Sequence, residues 1–316
     1  MHRLFLSLVA VGVLALVAPT QAAAANPILV VTSSSNPYTT YLPEILRTEG
    51  FNELDSADVS AVTASTLAAY DVVVLGDMSL TSSQATMFST WVNGGGNMIA
   101  MHPDAQLAGL LGLVDTGSAL TNGYVLLNTA GGPGAGLVGQ TIQFHGPAKL
   151  YTVNGATSYA TLYSNASTPT GNPAVTLNRV GSGQAAAFAY DLARSVVYTR
   201  EGNPAWSGQA RDAANAPPIR SYNLFYGAAS FDPQADWVDF NNIEIPQADE
   251  QQRLLANLML QMNSGKKPLP RFWYLPKGLK AAVVMTGDDH GSYYSGSATD
   301  QRFQDFLADS PSGCNV

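Results

Sequence analysis

A single cysteine, Cys314, is all the thiol this chain possesses. A leftover cysteine in an exported chain implies an intermolecular disulfide, a free thiol or a partner elsewhere. Everything before it is without a thiol nucleophile. Charge is equally scarce, at 12% of residues with a formal net charge of −8 and no basic run. Phosphate neutralisation by clustered Lys and Arg is therefore excluded, and nucleic-acid binding with it. Abundant Gly, Ala, Ser and Thr beside so few charges suit a secreted globular protein rather than a disordered one. Long apolar runs are missing except at the N-terminus, where His2 and Arg3 precede the continuous stretch Leu4 to Val17. Pro19 and then Ala22 to Ala25 follow, so residues 1–25 read as a secretory signal and not as a membrane span. The expected location is extracellular or periplasmic.

The remaining sequence alternates apolar runs with helical spacing. Ile28 to Thr32 reads as a buried strand, and Tyr41, Leu42, Ile45 and Leu46 as a helix face ended by Gly50. A second strand is expected around Asp58 to Ala61, and Val72 to Gly76 is a third. Thr81 and Gln84 have capping-box spacing ahead of a helix carrying Met87, Phe88, Trp91 and Val92. Gly94, Gly95 and Gly96 stop it before the strand Asn97 to Met101, and Ala105 to Leu111 should form the next helix. Such alternation predicts an α/β fold: a flavodoxin-like parallel sheet with helices on both faces. Beyond Gly112 the chain becomes β-rich. Asn122-Gly123 is a turn signal, and strands are expected within 141–145, 149–153, 159–163, 174–177 and 186–191, with Ser195 to Tyr198 closing the domain. His145 on an alternating strand reads as a structural, half-buried histidine. Residues 200–246 form a polar, Pro-punctuated passage, and Gln247 to Met262 is the clearest helix, with Leu254, Leu255, Leu258 and Met262 as its buried stripe.

Over residues 27–200 the run Asp71-Val72-Val73-Val74-Leu75, a helix, and then Trp91 through Gly94-Gly95-Gly96 to His102 is similar to the glutamine-amidotransferase-like domains, particularly the ThuA-like and β-galactosidase-trimerisation branches. That resemblance implies a cysteine nucleophile after the strand, which this chain does not have, and no Gly-x-Ser-x-Gly elbow replaces it. His102-Pro103-Asp104 occupies the strand end instead. His102 could bind sugar with Asp104 orienting it, or Asp104 could simply cap the following helix. Trp206, together with other aromatics of the 200–246 passage, could stack on sugar rings or staple that passage in place.

A second resemblance lies near the C-terminus. The apolar run Ala281 to Met285 discharges into Thr286-Gly287-Asp288-Asp289-His290-Gly291, which resembles the first motif of the NodB-like polysaccharide deacetylases. The resemblance implies the start of a (β/α) barrel, with Asp288 as general base and Asp289 as ligand of a divalent metal, zinc above all. His290 stands where that family has glycine and is the adjoining candidate ligand. The family's His-x-x-x-His pair is absent, since no histidine follows His290. The expected organisation is a signal at 1–25, an amidotransferase-like domain at 26–200, a linker and packing helix at 201–270, and the start of a deacetylase-like domain at 271–316, the whole being the front of a longer protein. The expected partner is a polysaccharide, with hydrolysis of its acyl groups as the activity. The rival reading is a non-catalytic carbohydrate-binding or scaffolding module, with Asp288-Asp289 a solvated turn.

Overall fold

The computed structural model describes residues 26–206, 237–242 and 244–272, which belong to one compact unit ending at Phe272. Its centre is a nine-stranded mixed sheet. Five strands run parallel: β1 (Ile28–Thr32), β2 (Leu54–Asp58), β3 (Val72–Leu75), β4 (Asn97–Met101) and β11 (Gly183–Phe188), in the spatial order β2-β1-β3-β4-β11. The sheet continues antiparallel through β10 (Pro169–Val180), β9 (Thr157–Tyr163), β6 (Tyr124–Leu127) and β7 (Ile142–Gln143). A separate ribbon pairs β5 (Leu113–Thr121) with β8 (Pro147–Val153).

Burial explains the two halves. Every residue of β3 and β4 is buried, which requires cover on both faces of the sheet. The cover comes from α1 (Leu42–Thr48), α2 (Ala64–Leu67), α3 (Ser82–Asn93), α4 (Leu192–Glu201) and α5 (Gln247–Asn263). From β1 the chain steps outward to β2 and then back across to β3 and β4. Right-handed crossovers therefore place α1 on one face and α2 and α3 on the other. Consistently, α1 touches α5 while α2 touches α3.

Local chemistry sets the element ends. In α3, the Thr81 hydroxyl accepts from Gln84 N while the Gln84 side chain accepts from Thr81 N, a reciprocal capping box. In α5, Leu254, Leu255, Leu258 and Met262 are buried as the spacing predicts. The buried face is wider than that stripe. Gln251 is fully buried, donates to the carbonyls of Gln143 and Gln247, and accepts from the Tyr190 and Ser195 hydroxyls. All of its hydrogen-bonding capacity is used to hold α5 against the sheet and α4, which is how an amide can sit inside an apolar core.

Three expectations are corrected. The second strand lies at 54–58, because Asp58 accepts from Ser60 N at 2.9 Å and winds Val59–Ala61 into a 3-10 turn. Ala105–Leu107 is likewise only a 3-10 turn. Asn122-Gly123 is the expected turn, with Asn122 at φ +54°, and it hands the chain from ribbon to sheet, since β5 pairs with β8 and β6 with β9. Ser195 to Tyr198 belongs to α4 rather than a strand. Asp191 accepts from Ala193 N and Arg194 N, and this cap starts a helix whose buried face includes Leu192, Ser195 and Val196. Cap and packing override the β preference of Val-Val-Tyr. No helix among the described residues is long and apolar enough to cross a membrane.

Candidate functional site at the carboxyl edge of the sheet

The strand order reverses between β1 and β3, and the carboxyl ends of β1, β3, β4 and β11 share one edge of the sheet. That is where open α/β sheets place their ligands. Each strand releases a polar residue there: Asn36 after β1, Asp77 after β3, His102 after β4 and Asp191 after β11.

His102 is the focus. It follows β4 directly and adopts φ +40°, a left-handed conformation rare for a residue with a side chain. Holding it there costs on the order of 1–3 kcal/mol, and such residues cluster at functional sites. The surroundings fix it. His102 N donates to the Phe188 carbonyl at 2.8 Å. The next carbonyl, of Pro103, accepts from Lys149 Nζ at 2.6 Å and from the Tyr151 hydroxyl at 3.2 Å, both on β8. The ribbon thus clamps the turn.

The imidazole Nδ1 lies 3.1 Å from Asp77 Oδ1, with both side chains about one-fifth exposed. A carboxylate only accepts, so Nδ1 carries the proton of the neutral ring and Nε2 keeps its lone pair. Asn36 Nδ2 donates to the Asp77 carbonyl at 3.0 Å and to Asp191 Oδ2 at 3.1 Å, while Asn36 Oδ1 accepts from Tyr38 N. Burial pushes the Asp191 carboxyl up, and the Asn36 and Arg194 N–H groups oppose it. Arg194 lies 4.9 Å over the Tyr38 ring and 3.9 Å from Asp191. Burial, then the hydrogen bond to Tyr198, pushes the Tyr38 hydroxyl up to about 12, so it stays neutral. The edge offers one imidazole acceptor oriented by a carboxylate, beside the hydrogen-bonded Asn36 and Asp191 side chains. It can accept a hydroxyl hydrogen bond or take a proton from water. Among the described residues there is no cysteine to complete an acyl-transfer site.

Asp104 does not orient His102. Its carboxylate accepts from Gln106 N and Leu80 N, each at 2.9 Å, capping the turn Ala105–Leu107 and holding the β3–α3 loop. Burial alone would raise Asp104, but these bonds outweigh it and hold the carboxyl below its usual range. Asp104→Ala should cost about 1–2 kcal/mol of stability, the loss of a cap, in a urea titration, and should leave His102–Asp77 intact. Trp206 ends the 3-10 turn Pro204–Trp206, away from the histidine in sequence and element. Asp288, Asp289 and His290 lie outside the described residues. Among the described residues no group of three or more His, Cys, Asp or Glu could hold a metal ion. Sequence reasoning found His102 but missed Asp77, Asn36 and Asp191. The available signal was a polar residue within four positions of the end of each apolar strand.

No family model matches the chain, and no curated protein matches it. Solved structures with partial likeness include a β-galactosidase of Bacillus circulans sp. alkalophilus, at 14% identity and TM-score 0.43, covering 55% of this chain and 30% of that one. An exo-β-1,4-mannosidase of Opitutaceae bacterium strain TAV5 gives 13% identity and TM-score 0.40, with 55% and 33% covered. A cytoplasmic protein of Salmonella typhimurium LT2 gives 13% and 0.41, with 52% and 87% covered. The matched part spans about three-tenths of the length of the first of these. Likeness of this degree assigns neither a family nor an activity.

Proposed function

We propose that the described unit is a flavodoxin-like, amidotransferase-like domain that has exchanged thiol chemistry for glycan recognition at the His102–Asp77 edge. The strand order β2-β1-β3-β4-β11 supports the fold, since it follows the doubly wound pattern 2-1-3-4-5 with its switch point beside β1 and β3. The observation carrying the function is the His102 ring held on Asp77 from a backbone in the left-handed region. A partly exposed acceptor on an open sheet edge suits the hydroxyls of an extended polymer. The protein as a whole is then an exported, carbohydrate-active one. In the C-terminal stretch Asp288 would serve as base and Asp289 with His290 as ligands; a divalent metal such as zinc would supply an activated water for deacylation.

Affinity electrophoresis through gels cast with N-acylated and neutral polysaccharides tests the reading. Retardation by at least one glycan is expected, weakened at least tenfold by His102→Ala and by Asp77→Asn and unchanged by Asp104→Ala. Migration unaffected by every gel would leave a scaffolding role instead, and retardation indifferent to His102→Ala would place glycan recognition away from this edge.

A further inference from the structure

Glycine directly follows asparagine three times in this chain, at Asn93-Gly94, Asn122-Gly123 and Asn154-Gly155. Such pairs are chemically labile, because a glycine carries no Cβ to screen its backbone nitrogen from the asparagine side chain before it. Attack of that nitrogen on the side-chain Cγ has two conditions. The N–H must be free of a hydrogen bond, and the side chain must be free to bring Cγ onto it. The fold treats the three pairs differently.

Two pairs are locked. Asn93 is the last residue of α3, where its Nδ2 donates to the Ser89 carbonyl at 2.8 Å. Gly94 N donates to the Thr90 carbonyl at 3.0 Å, so the nucleophile is already committed. Asn122 Oδ1 accepts from Gly146 N at 2.8 Å, and Asn122 N donates back to the Gly146 carbonyl at 3.1 Å. Gly123 beside it is buried, and its carbonyl accepts from Phe144 N.

The third pair is open. Asn154 and Gly155 are both exposed, in the turn between β8 and β9. Among the described residues nothing bonds the Asn154 side chain or the Gly155 N–H. Gly155 sits at φ +104°, and the nearest obstacle to a Cβ there is Asn178 Oδ1 at 3.9 Å. The Gly112 carbonyl accepts from Asn154 N at 2.7 Å and from Ala156 N at 3.3 Å. Those bonds pin the two ends of the turn and leave the reacting atoms between them free.

We propose that Asn154 is a site of spontaneous deamidation, selected by the fold from three equivalent dipeptides. Gly155 N loses its proton to solvent base and bonds to Asn154 Cγ, and the side-chain nitrogen leaves as ammonia. Water then opens the cyclic imide at either carbonyl, giving aspartate or isoaspartate at position 154. The isoaspartyl product puts an extra carbon into the main chain one residue past the Leu113–Val153 pair that starts the ribbon.

Peptide mapping by tandem mass spectrometry tests this on the full chain, sampled over days in mildly alkaline buffer with and without urea. In the folded protein the amide-to-acid mass gain is expected at Asn154, at least tenfold faster than at Asn93 or Asn122. It should appear as two chromatographic products and be absent from Asn154→Gln. In urea the three sites should react at similar rates, because the dipeptide is the same and only the fold distinguishes them. An Asn154 that stays intact in the folded chain while reacting in urea would mean that the pinned turn blocks the attack, overturning the proposal. Equal rates at all three sites in the folded chain would overturn it as well.

Discussion

Between pH 7 and pH 4 the protein is expected to lose about 3 kcal/mol of stability through one residue, His145. Burial drives this imidazole from its ordinary value of 6.5 down to about 3. In that window the unfolded chain binds a proton that the folded chain refuses, so stability falls as pH falls. The contribution is fully present above pH 6.5 and is gone only below about 3. Two carboxyls work in the opposite sense. Burial raises Asp191 and Glu49, so the folded form holds protons there that the unfolded form has already lost, and acid favours folding at those sites. The net acid sensitivity is thus a difference, and His145→Phe isolates it. Urea titrations at a series of pH values should show a steep loss of stability below neutrality in the parent and a much flatter profile in His145→Phe. Matching slopes for the two proteins would mean that His145 is hydrated rather than sealed under Trp237.

Gly183→Ala should be as damaging by a steric route. Gly183 opens β11, where a Cβ would lie 2.1 Å from the Val92 carbonyl oxygen and 2.3 Å from that of Gly96. Both obstacles are backbone, fixed by the end of α3 and by the entry to β4, so neither can swing aside. The cost is expected at the upper end of overpacking, about 3 kcal/mol, equivalent to a fall in Tm of roughly 6–12 °C. Gly109→Ala is the control, since a Cβ there meets nothing within 4 Å. Its Tm should stay level or rise slightly, because the substitution mainly restricts the unfolded chain. Scanning calorimetry of the two variants side by side measures the contrast. Equal midpoints would show that β4 and β11 are not joined as tightly as their register implies.

The parallel half of the fold was legible because its signals are local. Val72 to Leu75 and Asn97 to Met101 are apolar runs bounded by Asp71, by Gly76 and by the glycines at 94–96, and the Thr81–Gln84 box sits within one turn. The antiparallel half was legible as strands but not as a sheet. Asn122-Gly123 marks a turn in sequence but not the partner beyond it, and β6 finds β9 some thirty residues on. Pairings of that range leave no mark in a short window. The same holds for the site. His102 stood out as a histidine after a buried strand, but its partner Asp77 lies 25 positions earlier and only the β3–β4 register unites them. Asp104, two residues from His102, was the partner that proximity in sequence offered. Its carboxylate was instead taken by Leu80 N and Gln106 N.

The central claim is that His102, oriented by Asp77, receives the glycan. Long-range ¹H–¹⁵N NMR of the imidazoles, recorded while titrating whichever polysaccharide fragment retards the protein, tests it most directly. The expected result is a ring protonated on Nδ1 whose Nε2 resonance shifts saturably with added glycan, and Asp77→Asn should blunt that shift. A His102 ring that keeps its resonances while the glycan is bound would place recognition elsewhere on the chain.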